Sequence, residues 1–213
     1  MHRCDTLKLR TISFSNYIVN GGLKLSSEKF PNIERLTFYH TTAHDTSWSC
    51  ISSFGQLSHL ILFACNIQDF HLRDFESLQH LQGLTITQCI NITENSLEYA
   101  SKVPGLTYLS LGSLPLFVDH KKSIQFFPKL EELLLDNISL HDDIFYGAAE
   151  NLPELLLLDV SRSRLTECVL QDISMISSLE SFFMVECTMV DDWALFLLSQ
   201  ISQIYYWLLL GPW

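Results

Sequence analysis

The sequence predicts an α/β solenoid, with a curved parallel β-sheet on its concave side and helices or irregular turns on its convex side. It would hold about eight to nine copies of one coil and form a single domain over residues 1–213. Three observations predict it. One apolar pattern recurs at a period of 24–25 residues, its members alternate as in a strand with one buried face, and a proline stands at a fixed offset before it. A chain of 213 residues that is 47% hydrophobic and 17% charged can bury a substantial core and is folded, not disordered.

The pattern is clearest at Leu81-x-x-Leu84-x-Ile86-x-x-Cys89. Upstream it recurs as Leu57, Leu60, Leu62, Cys65 and as Ile33, Leu36, Phe38, Thr41. Downstream come Leu106, Leu109, Leu111, Leu114, then Leu130, Leu133, Leu135, Ile138. Leu155, Leu158, Val160, Ser163 and Leu179, Phe182, Met184, Cys187 follow. A weaker copy, Cys4, Leu7, Leu9, Ile12, is placed before them, and an incomplete one, Ile204, Trp207, Leu209, after. From Ile33 onward the first positions are separated by 24, 24, 25, 24, 25, 24 and 25 residues.

Between the strand segments lies helical character. After Cys89, Thr93 is positioned to cap a helix, with Ser96 three residues on and Leu97 and Ala100 on one face. Pro31, Pro104, Pro128 and Pro153 each stand two residues before a first apolar position. Proline stops a helix and favours extended backbone in the residue before it, so it belongs at the corner leading back into the strand. No single coil can close a core, so neighbouring coils must stack.

The pattern L-x-x-L-x-L-x-x-(N/C/T) resembles leucine-rich repeats over essentially the whole chain. The unit from Leu81 through Cys89 to Leu97 resembles the cysteine-containing repeats of F-box substrate receptors, with Cys65, Cys89 and Cys187 keeping the cysteine and Thr41, Leu114, Ile138 and Ser163 departing from it. The resemblance implies a non-catalytic protein–protein recognition module that selects the target of a ubiquitin ligase, meeting an adaptor through an F-box outside residues 1–213. An inhibitor- or sensor-type repeat scaffold binding a basic protein is the alternative, and a cysteine-dependent enzyme the weaker one. The ribonuclease inhibitor's repeats are longer than the period here.

Three cysteines at one repeat position are a packing signature. Where the strand bends into the loop, a small side chain points inward and its weak S–H donor meets carbonyls. Cys4, Cys50 and Cys168 fall elsewhere and form no C-x-x-C pair. His40, His44 and Cys50 would make a metal site only on a helix, yet His40 closes a strand and His44 lies in the next loop. Asp142-Asp143 and Asp191-Asp192 open convex segments, where carboxylates satisfy free N–H groups. Asn91-Ile92-Thr93 and Asn137-Ile138-Ser139 match the glycosylation sequon. With no Gly-rich phosphate loop and no Ser/His/Asp set, catalytic, metal and cofactor residues are expected to be none.

Function is therefore expected on the concave face. The outward residues, in order, are Lys8/Arg10, Thr37/Tyr39, Ile61/Phe63, Thr85/Thr87, Ser110/Gly112, Leu134/Asp136, Asp159/Ser161, Phe183/Val185 and Leu208/Leu210. Tyr39, His40, Ile61 and Phe63 form an aromatic–apolar cluster, and Tyr108 joins the candidate protein-binding set. Further on, Glu131, Glu132, Asp136, Asp159, Glu180 and Glu186 surround Leu134, Phe183 and Val185. A net charge of −11 turns away nucleic acid and anionic membrane and suits a basic protein partner. The start MHRCDTLKLR lacks a signal-peptide core, and no apolar run reaches a bilayer's thickness. The expected location is the cytoplasm, with the nucleus open. Neither end supplies a cap, so a longer protein with further repeats or an F-box is expected.

Overall fold

A computed structural model describes residues 6–18, 27–114, 124–188, 192–199, 204 and 206–208. The chain divides into two compact units, residues 1–106 and 107–213.

In the first unit, four parallel strands pair in sequence order: β1 (Thr11–Ser15), β2 (Arg35–Tyr39), β3 (His59–Phe63) and β4 (Gly83–Thr87). The register is the repeat period made physical. Leu36, Leu60 and Leu84 lie side by side, as do Phe38, Leu62 and Ile86, and all six are fully or almost fully buried. The β1 register corrects the first copy. Ile12 pairs with Leu36 and Phe14 with Phe38, so the repeat runs Leu9, Ile12, Phe14, Tyr17. The Cys4, Leu7, Leu9, Ile12 frame is out of phase, Cys4 lies outside the described residues, and Ser13 and Ser15 replace Lys8 and Arg10 on the open face. The two frames differ by five residues, and an odd shift in strand pairing exchanges the two faces.

In the second unit, β5 (Tyr108–Gly112), β6 (Glu132–Leu134), β7 (Leu157–Asp159), β8 (Ser181–Phe183) and β9 (Tyr206–Leu208) are likewise parallel and in order. Leu109, Leu133, Leu158 and Phe182 form one buried row, and Trp207 continues its register. Leu209 and Leu210 lie outside the described residues.

The return segments are short. The first unit carries α1 (Asp45–Ser49), α2 (Asp69–Leu72) and α3 (Asn95–Ser101), the first two extended by single 3-10 turns at Cys50–Ser53 and Arg73–Ser77. The second carries α4 (Ala148–Asn151), α5 (Glu167–Ser174) and α6 (Asp192–Ser199). α3 starts two residues after Thr93, and the residue capping it is Glu94, with no side-chain cap. Thr93 instead donates its hydroxyl to Asp69 Oδ2 (2.6 Å) and accepts from the Asn95 N–H (3.3 Å). Ser96, Leu97 and Ala100 are the buried face. α5 has a true side-chain cap, Thr166 Oγ1 accepting from the Val169 N–H.

Pro31, Pro104, Pro128 and Pro153 are exposed, each at a two-residue turn, and Gly55 and Gln79 open equivalent turns. The residue before the turn is apolar and buried at Phe54, Leu78 and Val103 in the first unit and at Phe127, Leu152 and, before the Ser177 turn, Ile176 in the second, whereas Phe30, before Pro31, is half-buried.

Every described strand end up to β8 turns through the left-handed region at one repeat position. Asn16, His40, Ala64, Gln88, Ser113, Asn137, Arg162 and Glu186 have φ between 48° and 57° or, for His40, 47°. None is glycine, and each such residue costs about 1–2 kcal/mol. The gain is a hydrogen bond to the next coil, as in His40 N–H to Phe63 O (2.8 Å), Ala64 N–H to Thr87 O (2.9 Å) and Arg162 N–H to Val185 O (2.7 Å). The same turn swings the following residue, Cys65 or Cys89 for example, into the core.

Candidate functional site

After β2 to β8 the inward slot holds a short donor or an aliphatic side chain. Cys65 Sγ lies 3.5 Å from Phe38 O, Cys89 Sγ 3.6 Å from Leu62 O, and Cys187 Sγ 3.2 Å from Val160 O. Ser163 makes the equivalent bond with its hydroxyl, 3.2 Å to Leu135 O. Each donor thus reaches a carbonyl of the preceding coil. Burial pushes the Cys187 thiol up, and the side-chain hydrogen bond with Cys65, followed by burial, pushes Cys89 up. A thiol held protonated and covered is a poor nucleophile. Cys168, on α5, is exposed. A thiol reagent should label Cys168 within minutes, while Cys65, Cys89 and Cys187 react only on addition of denaturant, as read by mass spectrometry. Fast labelling of Cys89 in the native protein would point to chemistry instead.

His40 follows β2 and packs edge-to-face with Phe63, whereas His44 is the exposed N-cap residue of α1, with no side-chain cap. Among the described residues no group of three His, Cys, Asp or Glu side chains converges. Asp142 Oδ1 accepts the Thr166 hydroxyl (2.7 Å), which ties it to the next coil. Asp191 lies outside the described residues and Asp192 opens α6. No helix among the described residues is long and apolar enough to cross a membrane.

On the open face of the first unit the sequence-predicted cluster is brought together. Tyr39 and Phe63 are register partners with ring centroids 6.0 Å apart, and the His40 and Phe63 rings lie 5.3 Å apart at 76°. Tyr39 is 40% exposed. Phe63 and Ile61 are half-buried, and Ile61 lies between Thr37 and Thr85. One row away, Gly83 lets the His59 ring lie over it. A Cβ at Gly83 would sit 2.8 Å from His59 Cδ2. Burial, then the Arg35 charge, holds His59 below its usual pKa, which favours a neutral ring there.

The second unit places its predicted residues in two rows and a fringe. Tyr108, Glu132, Leu157 and Ser181 form one row, and Ser110, Leu134, Asp159 and Phe183 the next. Tyr108, Leu134, Asp159, Phe183 and Val185 are half-buried, while Glu131, Glu132, Glu180 and Glu186 are exposed. Two carboxylates of the predicted acidic field are engaged within the fold. Asp136 pairs with Arg162, and Asp159 Oδ1 accepts the Ser161 N–H (2.9 Å). Two positions expected to face outward are covered: Gly112 is buried, and Ser161 is buried with its Oγ accepting the Val185 N–H (3.1 Å).

Charge is divided unevenly. Residues 1–106 hold eight Lys and Arg against nine Asp and Glu, whereas residues 107–213 hold five against fifteen. The sheet face of the first unit thus offers aromatic surface in a near-neutral setting, and that of the second offers apolar surface within an acidic one.

No protein-family model and no curated protein matches the chain. Among solved structures it is similar to internalin C2 of Listeria monocytogenes str. 4b F2365, at 15% sequence identity and a TM-score of 0.50, over 94% of this chain and 80% of that one. At that identity the likeness is one of fold. Together with the in-register parallel strands and the 24–25-residue period, it establishes the architecture as a leucine-rich-repeat solenoid of the α/β class.

Proposed function

We propose that the chain is a non-catalytic protein-recognition module whose contact surface is the open face of its sheet. The observation that carries this reading is the Tyr39–His40–Phe63 cluster, in which the Tyr39 and His40 rings both pack on Phe63, on a face whose backbone is already occupied by strand pairing. Exposed aromatic groups on rigid strands bury large area at little entropic cost, as interface anchors do. Ile61 extends the patch, and Leu134, Phe183 and Val185 within the acidic surround of Glu131, Glu132, Glu180 and Glu186 suit a basic, partly apolar segment of the partner. The finer reading is that the module selects targets for a ubiquitin ligase, supported by the cysteine-bearing repeats Leu57–Cys65 and Leu81–Cys89. Affinity capture scored for a cullin adaptor as against a single target separates this from an inhibitor-type scaffold.

The test of the surface is the double variant Tyr39→Ala, Phe63→Ala. Loss of two anchors should weaken partner capture by about thirtyfold or more, with thermal unfolding close to that of the wild type, since neither ring is in the core. Capture at wild-type strength would remove the aromatic patch from the interface.

A further inference from the structure

Beyond the sheet face, the second unit has a cleft of about 450 Å³ at the ends of its strands. One side is the row of left-handed residues Ser113, Asn137 and Arg162, and the other is formed by Ser139 and Arg164. The buried Leu114 and Ile138 also line it. The cleft is a product of the repeat, since successive coils place the same two positions side by side.

Its chemistry runs against its surroundings. Residues 107–213 carry fifteen Asp and Glu, yet among the described residues no carboxylate lines the cleft, while two arginines do. Every polar side chain in the lining can donate a hydrogen bond. Asn137 Nδ2 donates to Ser113 Oγ (3.0 Å), which leaves the Ser113 hydroxyl proton to point elsewhere. Asp136 engages Arg162 through Nη2, which fixes the guanidinium beside the cleft and leaves its other N–H groups available. Arg164 is exposed and has no ion pair among the described residues. Two guanidinium groups, an amide and two hydroxyls around one concavity form a donor-rich lining that suits an acceptor-rich group.

We propose that this cleft binds a compact oxyanion, a phosphoryl group or a carboxylate, clamped between Arg162 and Arg164 with Asn137 and Ser139 as orienting donors. The reading stands apart from the aromatic patch of the first unit and survives its failure.

The experiment is a titration of the whole isotope-labelled chain with inorganic phosphate and, separately, with acetate, each at constant ionic strength, followed by amide and arginine Nε–H resonances. Saturable shifts are expected at residues 113, 137–139 and 162–164. The exposed Arg164→Gln variant should keep the wild-type spectrum elsewhere and bind roughly tenfold or more weakly, because one charge-assisted pair is gone. Saturation by phosphate alone identifies a phosphoryl group, and saturation by acetate at the same amides identifies a carboxylate. Shifts that stay linear with both anions, or an Arg164→Gln titration matching the wild type, would overturn the proposal.

Discussion

Leu133→Ala is expected to cost about 2–5 kcal/mol of folding stability, whereas Leu134→Ala, its immediate neighbour, should cost a small fraction of that. Leu133 is fully buried, lies in β6 between Leu109 and Leu158, and fills space that no other coil can reach. Removing its side chain deletes transfer free energy and leaves a cavity that stacked strands cannot close. Leu134 lies on the other face and is only half-buried. Chemical denaturation checks the pair: the midpoint for Leu133→Ala should fall with an unchanged slope, and that for Leu134→Ala should move little. Equal costs would mean that the two faces of the sheet are not distinguished, and the alternation argument would fail with them.

Asn66→Ala carries the second large effect, about 2–4 kcal/mol, through hydrogen bonds rather than volume. Asn66 Oδ1 accepts both the Ala43 N–H (2.9 Å) and the indole N–H of Trp48 (3.0 Å), and its Nδ2 donates to Ala43 O (3.0 Å). Trp48 is 1% exposed, so its N–H has no recourse to water once the amide is gone. Alanine leaves two donors and an acceptor without partners in a low-dielectric setting. Asn66→Asp keeps the acceptor for Trp48 and Ala43 but loses the donor, and should recover part of the loss. Denaturation of the two variants side by side separates the contributions. A cost under about 1 kcal/mol for the alanine variant would show that the loop holds its shape without this side chain.

Both effects depend on the repeat, yet only the first was legible in the sequence. Leu133 is identified by its place in a pattern that recurs at constant period, which requires nothing beyond alternation and counting. Asn66 gives no such signal. It follows Cys65, and it becomes structural only because α1 brings Trp48 within reach of the neighbouring loop. The cysteine slot lies between these cases: repetition at one position argues for packing, and the structure supplies the acceptors, carbonyls of the preceding coil. The frame of the first copy shows where pattern matching loses its grip. With Cys4, Leu7 and Leu9 available, a plausible match exists out of phase, and only pairing with β2 selects Ile12 and Phe14.

The candidate surface divides the same way. Tyr39, Ile61 and Phe63 follow from period-two alternation, and the ring contacts among Tyr39, His40 and Phe63 follow from the in-register stacking of β2 on β3. The pairing of Asp136 with Arg162 does not follow from alternation, since it joins two coils. Nor does the arginine-lined cleft, whose residues come from three repeats and meet because each strand ends in a left-handed residue that is not glycine.

By itself, the sequence determined the period, the faces of the strands and the rows of the core, because burying leucines by alternation is a local property that every copy restates. Only the tertiary structure decided the phase of the first copy, the left-handed turn after each strand, the Asn66 bridge and which charges remain unpaired. Those depend on which atoms of one coil come to lie against the next, and stacking distance, not spacing along the chain, sets that.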